Sequence, residues 1–223
     1  MKGVRILFTI AVVFIMMHCN NEKVSGNASN EAIKKDTSIV QGKTIIFFGN
    51  SLTAGYGLSP SQAFPALIQK KIDSSGLPYK VVNAGVSGET SSGGNSRIDW
   101  ILRQPVDIFV LELGANDGLR GVPLSETKKN LQAIIDKVKS KYPEAKLILA
   151  GMQIPPNMGQ QYATEFRNIF SDLATKNNTI LIPFLLEGVG GERLLNQEDG
   201  IHPTADGHKV LAENVWRELR PLL

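Results

Sequence analysis

Four short blocks of this sequence set reactive polar side chains among glycines: Gly49-Asn50-Ser51-Leu52, Gly85-Val86-Ser87-Gly88-Glu89-Thr90, Gly114-Ala115-Asn116-Asp117-Gly118 and Asp199-Gly200-Ile201-His202-Pro203. Attack of a serine hydroxyl on a carbonyl carbon needs a base for the hydroxyl proton, an acid that orients the base, and donors for the developing oxyanion. The blocks hold candidates for all three. Ser51 is the candidate nucleophile, His202 the base, and Asp199 the acid that accepts a hydrogen bond from the imidazole and selects its tautomer. The Ser51 backbone N–H, the Gly85 N–H, which no Cβ shields, and the Asn116 side-chain amide are candidate oxyanion donors. Any one block alone is ordinary turn chemistry. Their joint occurrence with a His-Asp pair is harder to explain that way.

Counting histidines narrows the base. Besides His202 the chain has only His18, in an apolar N-terminal segment, and His208, six residues into a predicted last helix. Pro203 suits a first helical position, which sets His202 in the loop at the helix boundary. Other chemistries lack their signatures. The glycines of GNSLTAGYG are not spaced G-x-G-x-x-G, and no G-x-x-x-x-G-K-[ST] loop occurs. No G-x-S-x-G elbow is present, and two usable histidines without a spare cysteine argue against a catalytic zinc. Neither metal nor cofactor is expected.

The elements that must position these blocks are five continuous apolar runs, TIIFFG, YKVVNAG, DIFVLELG, KLILAGM and TILIPF. Their β-branched character fits strands buried on both faces of a parallel sheet. Stretches with helical spacing alternate with them, around Ser61 to Ser74, Ser92 to Leu102, Ser125 to Lys141, Tyr162 to Lys176 and Pro203 to Leu222. In the third, Leu131, Ile134, Ile135 and Val138 recur at intervals of three and four. The expectation is a three-layer α/β/α sandwich whose ligands bind beyond the carboxyl ends of the strands, where the blocks lie. Phe47, Phe48, Phe109 and Phe184 read as core.

The 223 residues suit one such domain. The formal charge is only +3, with Lys2 and Arg5 contributing in the N-terminal segment, so no nucleic-acid partner is expected. Residues 1–18 have a signal peptide's layout, with those two cations ahead of an apolar run from Ile6 to Met17. That run is short for a membrane-crossing helix. Cys19, the only cysteine, follows it in the position of a lipid-attachment cysteine, although MMHC lacks the usual small residues before it; the alternative is a plain secretory signal. Residues 19–42 are polar and rich in Asn, Ser and Lys, as suits a flexible tether, which leaves 43–223 as the domain.

In these blocks the chain resembles the SGNH, or GDSL, hydrolases, whose marker Ser, Gly, Asn and His are matched by Ser51, Gly85, Asn116 and His202, with Asp199 completing the triad in DGIHP. SLTAGYG, NAGVSGETSSGG, GANDGLRG and GMQIPPNMGQQY make it most similar to the bacterial acyl-thioesterase, arylesterase and lysophospholipase group. The resemblance implies a flavodoxin-like five-stranded parallel sheet, a serine nucleophile and an oxyanion hole from the Ser51 and Gly85 N–H groups and the Asn116 amide. It further implies that the loop from Gly151 to Tyr162 shapes an acyl pocket, with Met152, Ile154, Pro155, Pro156 and Met158 as apolar candidates. One residue departs: the aspartate usual before the nucleophile is Asn50, which keeps the size and one acceptor without the charge. The expected function is an exported, monomeric esterase acting on small acyl, aryl or lysophospholipid esters, or thioesters, and held at a membrane through Cys19. A carbohydrate O-deacetylase and a non-catalytic ligand-binding lipoprotein are the alternatives.

Overall fold

The computed structural model describes residues 42–155 and 158–223. The signal segment, Cys19 and nearly all of the tether lie outside the described residues, as does Pro156 of the proposed acyl pocket. Each apolar run forms a strand: β1 (Lys43–Gly49), β2 (Tyr79–Gly85), β3 (Ile108–Glu112), β4 (Lys146–Ala150) and β5 (Ile180–Ile182). All neighbours pair in parallel in the order β2-β1-β3-β4-β5, the expected flavodoxin-like sheet. Ile45 to Phe48 of β1 are completely buried, as required of an inner strand covered on both faces.

The helices are α1 (Ser51–Ala54), α2 (Phe64–Ser74), α3 (Ser91–Ile101), α4 (Ala115–Leu119), α5 (Leu124–Lys141), α6 (Gln160–Asn177) and α7 (Ala205–Leu219). α2 packs with α7, while α5 packs with α3 and α6, so helices cover both faces of the sheet. The predicted apolar stripe of α5 is buried, and Glu126 in its first turn and Lys139 and Lys141 in its last complement the helix dipole. The one-turn helices α1 and α4 have no apolar periodicity to announce them, because each is only the continuation of a strand-end turn. α7 also starts later than expected. Thr204 is its N-cap, accepting from the Gly207 N–H, while Pro203 lies outside the helix and bridges to Asn196 as a residue of extended backbone.

β2 is an edge strand, and its outer backbone groups need partners. Gln69 of α2 supplies them: Oε1 accepts from the Val81 N–H at 2.6 Å and Nε2 donates to the Tyr79 carbonyl at 3.1 Å.

His208 in α7 is a buried structural residue. Its Nδ1 accepts the Phe64 N–H at 3.1 Å and so serves the otherwise uncapped start of α2, and its ring stacks on Phe64. Burial depresses its pKa from 6.5 to about 4. A depressed base contributes stability that is fully present above the unfolded value and is lost as the pH falls through the folded one. The window here therefore runs from 6.5 down to about 4, and the contribution is about 3 kcal/mol. His208→Asn keeps an acceptor for Phe64 and removes the titration, so its acid-unfolding midpoint should lie at lower pH than the wild type's. Coincident acid-unfolding curves would contradict this assignment.

Candidate active site

The chain leaves β1 to one side to form β2 and returns across it to form β3, so the carboxyl ends of β1 and β3 frame a crevice at a topological switch point. Ser51 opens α1 directly after β1, and Asn116 lies in α4 directly after β3. His202 and Asp199 arrive from the loop before α7. Ser51 Oγ lies 2.9 Å from His202 Nε2, and His202 Nδ1 lies 2.6 Å from Asp199 Oδ2. Asp199 Oδ1 accepts the Ile201 and His202 backbone N–H groups, each at 3.0 Å, which fixes the carboxylate before it meets the ring. The hydrogen bond from His202 is the main cause holding the Asp199 carboxyl down at about 2. The Tyr56 ring packs 4.5 Å from the imidazole, centroid to centroid.

The candidate oxyanion donors are placed differently from expectation in one respect. Ser51 and Asn116 line the cleft. One Asn116 Nδ2 hydrogen bonds the Glu89 carbonyl at 3.0 Å, which orients the amide and leaves its second N–H for a ligand. Gly85 does not line the cleft, and its N–H is taken by Asn83 Oδ1 at 3.0 Å. A glycine is needed there because the α1 backbone at Thr53 and Ala54 crosses where a Cβ would sit. From the same loop it is Gly88, at φ +79°, that faces the cleft beside Ser51 and Asn116. Arg120 holds the Gly88 carbonyl at 3.1 Å, and Arg97 holds the Ala84 carbonyl at 2.8 Å while pairing with Glu89. Two glycines three residues apart look alike in sequence; only backbone direction separates the packing glycine from the one at the cleft.

Two buried acids escaped the sequence reading. Asp117 takes the Ser91 N–H at 2.8 Å and the Ser91 hydroxyl at 2.5 Å, tying α4 to the start of α3. Glu112 ends β3 directly beside Gly49 and is buried under the turn that carries Ser51. Its Oε1 accepts Asn50 Nδ2–H at 2.7 Å, and its Oε2 accepts the Asn50 N–H at 3.1 Å, the Thr53 N–H at 3.3 Å and the Thr53 hydroxyl at 2.8 Å. Burial pushes this carboxyl up from 4.5 to about 7 against the pull of those hydrogen bonds. The signal was present: a glutamate in an otherwise apolar strand, DIFVLELG, needs either solvent or a set of donors.

The crevice is a cleft of about 480 Å³ with mostly apolar walls. Met152, Ile154 and Pro155 of the loop after β4 line it, whereas Met158 does not. Phe184, read as core, is only half-buried and belongs to the same wall with Leu186. Tyr56, Leu119 and Ile201 are exposed at the cleft.

A family model, described as the GDSL-like lipase/acylhydrolase family, matches residues 47–210. The chain is similar to an esterase TesA of Pseudomonas aeruginosa, 42% identical over 182 residues that cover 81% of this chain and 90% of the relative. It is 38% identical to a thioesterase 1/protease 1/lysophospholipase L1 of Escherichia coli strain K12, over 81% of this chain and 85% of that one. Among solved structures it is similar to a psychrotrophic esterase EstA from a Pseudoalteromonas species, inhibited by monoethylphosphonate. That match has a TM-score of 0.76 and 32% identity, over 80% of this chain and 97% of EstA. With its sheet, its cleft and these matches taken together, the chain belongs to the GDSL-like lipase/acylhydrolase family and is an ester hydrolase.

Proposed function

We propose that this hydrolase cleaves esters and thioesters of acyl chains, lysophospholipids and aryl esters among them, through an acyl-enzyme on Ser51. The observation that carries the reading is the unbroken hydrogen-bonded series from Asp199 through His202 to Ser51 Oγ, opening into an apolar cleft. Ser51 Oγ attacks the carbonyl carbon while its proton passes to His202 Nε2. The oxyanion is taken by the Ser51 N–H, the free Asn116 N–H and the Gly88 N–H, the last replacing Gly85. Collapse breaks the bond to the leaving group, which departs with the proton from His202. Water then repeats the sequence on the acyl-enzyme, giving carboxylic acid and free Ser51.

The acyl chain is assigned to the wall of Met152, Ile154, Phe184 and Leu186, because apolar side chains there gain from covering methylenes. Hydrolysis of p-nitrophenyl esters from acetate upward should show kcat/KM rising with chain length. Each well-buried methylene is worth about 0.8 kcal/mol, up to about fourfold. Activity confined to acetate would instead favour the carbohydrate deacetylase reading. The enzyme is further proposed to be exported and held at a membrane through lipid on Cys19, which rests on the layout of residues 1–42. Labelled palmitate should enter the wild type and not Cys19→Ala; equal labelling of both would refute the anchor.

A further inference from the structure

The buried Glu112 does not line the cleft and makes no hydrogen bond to Ser51, His202 or Asp199, yet it is the hub of the turn that presents Ser51. Its two oxygens receive hydrogen bonds from four donors, all on the residues that flank Ser51. The division is unequal: Oε2 takes Asn50 N–H, Thr53 N–H and Thr53 Oγ1–H, and Oε1 takes only Asn50 Nδ2–H. That last bond sets which end of the Asn50 amide faces the nucleophile. With Nδ2 held by Glu112, Asn50 Oδ1 turns back, accepts the Leu52 N–H at 3.0 Å and lies 3.4 Å from Ser51 Oγ. At that length it is a poorer acceptor for the serine proton than His202 Nε2 at 2.9 Å. The Arg97 guanidinium reaches the same turn only through Nη2, 3.5 Å from the Gly49 carbonyl.

We propose that Glu112 is a positioning residue for the reaction: through the polarity of its contact with Asn50 it fixes the peptide units around Ser51 and so holds Oγ in place against His202 Nε2. The proposal rests on Ser51 as nucleophile and deepens that reading. It makes the Asn50/Glu112 pair a unit whose donor and acceptor ends must match. A carboxylate only accepts, whereas a glutamine amide accepts at one end and donates at the other. In Glu112→Gln the three donors at the Oε2 position select the amide oxygen there and leave the amide NH₂ against Asn50 Nδ2–H. Two donors then face each other. Relief comes by rotating the Asn50 amide, which points its NH₂ at the Leu52 N–H and at Ser51 Oγ. In Asn50→Asp/Glu112→Gln the polarity is reversed and complementary again, because one oxygen of the introduced aspartate accepts from the introduced glutamine and the other keeps the Leu52 N–H.

The test is steady-state kinetics of the full chain on a short-chain p-nitrophenyl ester for wild type, Glu112→Gln, Asn50→Asp/Glu112→Gln and Ser51→Ala, with circular dichroism of each. Glu112→Gln should lower kcat roughly 10- to 100-fold with KM changed by less than about twofold, since misplacement by about 1 Å costs on that order. The double variant should recover to within about threefold of wild type, a coupling that two independent packing defects do not show. A folded Glu112→Gln enzyme with wild-type kcat overturns the proposal, as does a folded double variant no faster than the single. If Glu112→Gln does not fold, a folded and active double variant sustains the proposal, and an inactive one overturns it. Turnover that survives in Ser51→Ala refutes the nucleophile itself, while loss in Ser51→Ala with no effect at Glu112 refutes only the positioning role.

Discussion

Replacing Ser51 by alanine should lower kcat on an aryl ester by about 10⁵-fold or more, the size seen when the nucleophile of a serine triad is removed. The fold should survive. Among the described residues Ser51 Oγ is bonded only to His202 Nε2 and, more weakly, to Asn50 Oδ1, and the backbone bonds of α1 from Asn50 and Ser51 carbonyls do not involve the side chain. The apolar walls of the cleft are also unchanged, so substrate affinity should persist. A reactive phosphonate, which forms an Oγ–P bond as its leaving group departs, should label the wild type once per chain and the variant not at all. Turnover within tenfold of wild type, or labelling at another residue, would remove Ser51 from the mechanism.

The second large effect is expected at Asp199, and there asparagine should be worse than alanine. Asp199 Oδ1 is held by the Ile201 and His202 N–H groups, so an asparagine in its place keeps its carbonyl oxygen on them and turns its NH₂ toward His202 Nδ1. The imidazole must then accept at Nδ1 and carry its proton on Nε2, where it can no longer take the proton of Ser51. A loss of about 10⁴-fold is the scale of this wrong-tautomer effect. In Asp199→Ala no donor is forced on Nδ1, and the site is open enough for water to accept from it, with the Asp199 side chain 39% exposed. The alanine variant should therefore retain more activity. An asparagine variant as active as the alanine variant would mean that Asp199 does not select the tautomer. Because Asp199 remains ionised down to about pH 2, its own titration contributes no acid limb in the working range.

Much of this molecule is legible without coordinates. The five apolar runs are short, bounded by glycine or proline and in most cases carry β-branched residues, which fits strands covered on both faces, and the alternation with amphipathic stretches leaves few topologies. His202 follows almost by elimination, and Asp199 lies close enough along the chain for a local loop to join the two. What failed to be legible has a common physical cause. Gly85 and Gly88 differ in what surrounds their backbones, one pressed under α1 with its N–H bound to Asn83 and the other facing the cleft, and residue type carries none of that. Phe184 has the composition of core and the position of a cleft wall.

Residue type, periodicity and short spacing along the chain were enough for the strands, most of the helices, the reaction class and the choice of Ser51, His202 and Asp199, which the structure brings within hydrogen-bond distance. They were not enough to say which N–H groups face the cleft or which aromatic joins its wall. Nor could they bring Glu112, 62 residues away along the chain, into hydrogen-bond contact with Asn50; packing did that. Those outcomes depend on the direction of a donor or a side chain after β1, β2 and β3 have been set side by side, and that direction is a property of the packed sheet rather than of any stretch of residues.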